Sequence, residues 1–185
     1  MHNNSLELFR LHGLPLIQSG TSVLEIGPEG GGRADGISKD LVVANGGHYN
    51  FADIRNNADH QPGFIRMIDE YQIDVEANRF DVVFSLSVAE HVRKIWTWVQ
   101  ELVRITKPGG HVIFVNPVSW PYHASPLYDC WRILPDGYKA LFEDFGLEHV
   151  FSWMGNVAPL EERWTKQHGP CLVTDTVAVG RKMRL

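Results

Sequence analysis

Val23-Leu24-Glu25-Ile26-Gly27-Pro28-Glu29-Gly30-Gly31-Gly32 is the stretch that decides the fold. An apolar, β-type run carrying one acid opens into glycines ahead of a helical pattern over 33–44, which Asn45-Gly46-Gly47 stops. A buried parallel strand that enters a Gly-rich turn and a helix N-terminus aims unpaired backbone N–H groups at one spot, where an anionic or polar ligand group docks. Gly-rich turns also serve plain strand-to-helix connections, so the residues downstream decide the reading.

Those residues repeat the unit. Strands are predicted over 22–26, 48–54 (with Asp53 near its end), 64–68 (followed by Asp69), 80–86, 111–115, 148–153 and 172–180. Val92, Ile95, Trp96, Val99, Leu102 and Val103 recur every three or four residues, so 89–106 reads as an amphipathic helix ended by Lys107-Pro108-Gly109-Gly110. Pro135 and Asp136 open a further helix with Tyr138, Leu141, Phe142 and Phe145 on one face. The polar stretch 56–63 is too short for a full crossover helix. At the start of the chain, apolar residues from Leu6 to Ile17 are broken at Gly13 and Pro15, which gives a short, imperfect helix over a sheet edge or the cleft.

Strands alternating with helices, then two closing strands, predict an α/β class, doubly wound Rossmann-like fold. The expected sheet is seven-stranded and mostly parallel, with an antiparallel last strand. A length of 185 residues with 44% hydrophobic content fits a single domain over 1–185, with 1–20 as a cap segment and 21–182 as the core. The formal charge of -5 gives no footprint for a polyanion, which argues against nucleic acid. Cys130 and Cys171 stand apart without a Cys-x-x-Cys or His-x-x-x-His companion, so no disulfide framework and no metal site is expected. A reduced, cytoplasmic setting fits, and neither an export signal nor a membrane-spanning segment is expected.

In such sheets ligands bind beyond the carboxyl ends of the strands, where Glu25-Ile26-Gly27, Asp53, Asp69-Glu70 and Ser85-Leu86-Ser87 should converge. With Ala89-Glu90-His91-Val92 and Lys107-Pro108-Gly109-Gly110 ahead of a strand, the chain resembles the class I S-adenosylmethionine-dependent methyltransferases of the small-molecule or glycan type. Asp69 precedes Asp81 by the twelve residues usual in that family. Glu29 departs from the usual Gly-x-Gly-x-Gly of these enzymes. It also stands where the NAD fingerprint needs a glycine, which weakens an NAD-dependent oxidoreductase reading.

The resemblance implies S-adenosyl-L-methionine as cofactor and assigns its contacts. Asp53 takes the ribose hydroxyls and Asp69 the adenine amino group, with the N–H of Glu70 or Tyr71 facing the ring. Glu25 orients the turn and the methionyl ammonium, the Gly27 and Ser85 carbonyls accept from that ammonium, and Gly30 and Gly31 allow close backbone approach. Arg33 is a further candidate, for the methionyl carboxylate.

A hydroxyl acceptor needs a base near neutral pKa. His123, in the loop leaving the fifth strand, is the first candidate and His91 the second. Trp120, Tyr122, Tyr128 and Trp131 in the same loop either hold a sugar or aromatic acceptor or belong to the core. The expected activity is methyl transfer to a hydroxyl of a small molecule or glycan precursor. A non-catalytic binding protein with the same fold is the alternative. Residues 153–170 either cover the pocket or make a homodimer contact.

Overall fold

The computed structural model describes residues 3–28, 36–54, 61–124, 128–155, 157–160 and 162–184. Seven strands follow the path β3-β2-β1-β4-β5-β8-β6: β1 (Ser22–Ile26), β2 (His48–Asp53), β3 (Phe64–Arg66), β4 (Phe80–Leu86), β5 (Thr106–Ser119), β6 (Leu147–Met154) and β8 (Leu172–Lys182). A two-residue β7 (Ala158–Pro159) pairs with β8 off that path. Strands β1 to β5 pair in parallel, and β8 runs antiparallel to both β5 and β6. Chain order reverses between β1 and β4, which places the switch point beside Gly27.

Alternation along each strand feeds two cores. Leu24, Ile26, Phe80, Val83 and Phe114 pack with α3 (Ile95–Ile105) and α4 (Pro135–Asp144) through Trp98, Leu102, Tyr138 and Phe142. Val23, Val82, Phe84, Ile113 and Val177 face the other way, toward Val42 of α2 (Ile37–Ala44) and Phe9, just after α1 (Asn3–Leu8). Each fully buried Val, Leu or Phe contributes about 1.5–3 kcal/mol relative to exposure. Phe9 stacks on Phe84 with ring centroids 4.4 Å apart, so the N-terminal segment is seated on the sheet face. Its start also reaches the strand ends, where the Ser5 and Ser87 hydroxyls lie 3.2 Å apart. Among the described residues no helix is long and apolar enough to cross a membrane.

Several boundaries differ from the sequence reading. The predicted helix over 89–106 is a 3₁₀ turn at Ala89–His91 followed by α3 from Ile95. Its first turn yields because backbone groups there serve another segment: the Glu90 carbonyl accepts from Cys130 N at 2.7 Å, and the Val92 carbonyl from Trp131 Nε1 at 2.7 Å. Lys107-Pro108-Gly109-Gly110 belongs to a β5 longer at both ends than 111–115, with a register shift between Phe80 and Val82 opposite the extra residues. Strand β3 stops at Arg66, and Met67 makes only an isolated bridge to Ile73. Residues 33–35 and 55–60 lie outside the described residues. The connection 155–171 carries α5 (Glu162–His168) as well as β7.

Asp81 ties the N-terminal ends of three strands together. Its Oδ2 accepts from Ser22 N at 2.9 Å and Ser22 Oγ at 2.5 Å, and Lys107 Nζ lies 2.9 Å from both carboxylate oxygens. Partial burial pushes this carboxyl up, but the Ser22 and Lys107 contacts outweigh it and hold it below its ordinary value. A carboxyl depressed by folding stabilises above its unfolded pKa, and that contribution is lost as pH falls through the folded value. With both side chains about two-fifths exposed, Asp81→Asn is expected to cost less than about 1 kcal/mol near neutral pH and progressively less in acid, as the carboxylate takes up its proton. Urea midpoints of both proteins at neutral and acid pH check this.

Candidate functional site

The carboxyl ends of β1, β2, β4 and β5 surround the switch point. At the end of β1, Gly27 has φ +66° and donates its N–H to the Ala52 carbonyl at 2.8 Å. A Cβ there would lie 2.7 Å from Val88 Cγ2, so the β1 turn and the segment after β4 approach to a separation that only glycine allows. Ser87 sits at φ +56°, a conformation a non-glycine residue adopts at a cost, and such strain collects at functional sites. Asp53 closes β2 with its side chain buried. Gly30, Gly31 and Arg33 lie outside the described residues.

The other sequence candidates fall in different places. Glu25 is 1% exposed, and its Oε2 accepts from Ser38 Oγ at 2.7 Å and Tyr49 OH at 2.5 Å, so this oxygen braces β1 against α2 and β2. Burial and the Glu25 carboxylate push the Tyr49 hydroxyl far above its ordinary value, which keeps it a donor. Asp69 is exposed, and its Oδ1 accepts from Tyr71 N at 2.7 Å. The Tyr71 N–H, expected to face a ring, is thus spent on the loop's own carboxylate, a turn common to aspartate. Glu70 pairs with the Arg93 guanidinium at 3.0 Å. Ser85 is fully buried in β4, and its hydroxyl has no hydrogen-bond partner among the described residues.

His91 and His123 meet. Their ring centroids are 5.0 Å apart in an edge-to-face arrangement, although 31 residues separate them in the chain. Each ring is anchored through Nδ1 on a backbone carbonyl, Tyr128 O at 2.5 Å for His91 and Pro121 O at 2.9 Å for His123. A carbonyl only accepts, so each Nδ1 carries a proton, and in a neutral ring bonded this way the lone pair lies on Nε2. Burial lowers the His123 pKa, against the Pro121 carbonyl and the Asp129 carboxylate, which raise it; the ring is neutral near physiological pH.

Two groups of anchors behind this pair escaped the sequence reading. Asp129 accepts from the His123 N–H at 2.9 Å and is gripped by Arg132, Nη1 to Oδ1 at 2.5 Å and Nη2 to Oδ2 at 2.8 Å. Burial pushes the Asp129 carboxyl up, but Arg132 and the His123 contacts carry it down to about 2. Glu90, 1% exposed, takes a hydrogen bond on Oε2 from Asn116 Nδ2 at 2.5 Å, and Tyr138 OH donates to Asn116 Oδ1 at 2.7 Å. The Asp-x-x-Arg spacing of residues 129 and 132 was the available signal for the first group. Of the loop aromatics, Trp131 packs against the core while Tyr122 and Tyr128 are exposed.

Comparison with known proteins places this arrangement. Residues 25–114 match the family model described as a methyltransferase domain. A ubiquinone biosynthesis O-methyltransferase of Alkalilimnicola ehrlichii is 26% identical over 159 residues, 80% of this chain but only 60% of that protein's length. Among solved structures, an S-adenosylmethionine-dependent methyltransferase of Methanosarcina mazei superposes with TM-score 0.66 at 16% identity, covering 95% of this chain and 98% of that one. A phosphoethanolamine N-methyltransferase of Haemonchus contortus in complex with S-adenosyl-L-methionine gives TM-score 0.64 at 14% identity, over 98% of this chain and 53% of that one. That family match over residues 25–114 and this strand order identify the region as a methyltransferase domain with the class I S-adenosylmethionine-dependent fold.

Proposed function

We propose that this methyltransferase moves a methyl group from S-adenosyl-L-methionine to a hydroxyl of a small molecule or glycan precursor. The observation that carries the oxygen-directed part is the pair His91 and His123, each anchored at Nδ1 and each keeping a basic Nε2, where the β4 and β5 segments meet. The similarity to an O-methyltransferase supports the same choice. Bound S-adenosylmethionine supplies a methyl carbon already activated by its sulfonium.

The chain's own part is to bind, align and move one proton. Asp53, buried at the end of β2, offers two acceptor oxygens to the two ribose hydroxyls. The Gly27 turn lets the backbone close on the methionyl end, with the Gly27 and Ser85 carbonyls as acceptors for its ammonium. Glu25, braced by Ser38 and Tyr49, fixes the path of β1 into that turn. Asp69 and Glu70 line the adenine side, Asp69 through the carboxylate oxygen not bonded to Tyr71. Nε2 of His123 takes the acceptor's proton as the oxygen attacks, and His91 packs against that ring. Trp120, Tyr122 and Tyr128 present flat faces to the acceptor.

Incubation with the cofactor and a panel of catechols, phenols, sugars and amines, read by mass gain of one methyl, tests the assignment. Methylation confined to hydroxyl compounds is expected. Methylation of amines alone, or cofactor binding without any product, overturns it.

A further inference from the structure

We infer that Glu90, His91 and His123 form a binding site for one divalent transition cation of the zinc class. Each offers a ligand atom, and the three atoms lie within 4.8 Å of one another. A point therefore exists within about 2.8 Å of all three, less than an ångström outside the coordination distance of about 2.0–2.2 Å for zinc with nitrogen and carboxylate ligands. Small side-chain rotations close that gap.

Glu90 supplies the independent observation. Its carboxylate is 1% exposed, and Oε1 has no hydrogen-bond partner among the described residues. The nearest cationic candidate, His91 Nε2, stands 3.8 Å from Oε1, too far for a hydrogen bond. The Arg132 guanidinium is committed to Asp129. A buried carboxylate oxygen left in this way is costly unless the group takes up a proton or a cation.

The surrounding contacts are those that metal ligands need. A ligating imidazole donates its second nitrogen to a carbonyl or carboxylate, which fixes the tautomer and aims the bare nitrogen. Both rings do this through Nδ1, to Tyr128 O and Pro121 O, and Asp129 Oδ2 lies 3.3 Å from the His123 Nδ1. The second Glu90 oxygen is held by Asn116, itself held by Tyr138, so the free oxygen has a fixed direction. Two imidazoles and one carboxylate suit zinc, cobalt or ferrous iron better than magnesium or calcium, which prefer oxygen ligands. Three protein ligands leave a coordination position open, for water or for the oxygen of an acceptor. A cation held here occupies the His123 Nε2 lone pair that the methyl-transfer reading assigns to the acceptor's proton, so one ring does not serve both at once; cation binding is measured without cofactor or acceptor, and its failure is therefore distinguishable from failure of that reading.

The test titrates chelator-treated full-length protein with Zn²⁺ alone by calorimetry, and with Co²⁺ by visible absorption. One saturable site with Kd of about 1 μM or tighter is expected, with Mg²⁺ a poor competitor. Glu90→Gln and His123→Gln are each expected to weaken binding at least about 10- to 100-fold. His149→Gln, whose ring bonds Ser152 elsewhere, should leave it unchanged. If Glu90→Gln loses the wild-type circular dichroism, the partly exposed His123→Gln carries the test. No saturation by about 100 μM Zn²⁺, equal competition by Mg²⁺, or unaltered affinity in folded His123→Gln overturns the site.

Discussion

Asp53→Asn is expected to raise the Kd for S-adenosylmethionine by about 30- to 150-fold, corresponding to about 2–3 kcal/mol, while the fold is retained. The carboxylate is buried at the end of β2, one residue beyond the carbonyl that Gly27 N–H engages. There an ionised acid facing two hydroxyl donors makes two charge-assisted hydrogen bonds, each stronger than a neutral one. Asparagine keeps the shape but turns one acceptor into an NH₂ donor, so a ribose hydroxyl loses its partner in a buried setting. Isothermal titration of both proteins, with circular dichroism to confirm folding, reads the effect. An unchanged Kd would remove Asp53 from the cofactor site and leave it a structural role at the β2 end.

The frame of the molecule was legible because burial on both faces forces near-continuous apolar runs. Val82-Val83-Phe84 can only be an inner strand, and Leu24 and Val23 feed opposite cores. Asp53 was legible for a related reason: an acid that follows Tyr49, Phe51 and Ala52 must sit where the buried strand ends. The start of α3 was not. The apolar period runs through Val92, but the Val92 carbonyl is claimed by Trp131 from a loop some forty residues on, and no local pattern records that claim. The extension of β5 through Pro108 was hidden likewise, because proline and glycines signal a stop while pairing with β4 carries the chain past it.

The constellation behind the two histidines shows the same limit more sharply. Metal-ligand readings rely on short spacings, and Glu90 and His123 are 33 residues apart in sequence. They meet only because the loop after β5 folds back and gives the Cys130 N–H to the Glu90 carbonyl. Asn116 carries a hydrogen bond from Tyr138 to Glu90 across the floor of this cluster.

The second large effect is expected at His123. His123→Ala should lower kcat by about 100- to 10,000-fold, the range for loss of a proton-accepting group, with the Kd for S-adenosylmethionine unchanged. The split between kcat and Kd is the informative part. Asp53 and Gly27 lie at the ends of β2 and β1, whereas His123 hangs from the loop beyond β5 and is fixed by Pro121 and Asp129. Removing its ring therefore deletes the acceptor-side lone pair without touching the residues assigned to the ribose. Asp129→Asn should lose less activity than His123→Ala, because the Pro121 carbonyl still holds Nδ1 while the grip of Arg132 on the loop is weakened. Steady-state kinetics on the methylated hydroxyl compound, paired with cofactor titration, decide the matter. Wild-type turnover in His123→Ala would pass the proton-accepting role to His91, whose Nε2 is the other lone pair the fold brings there.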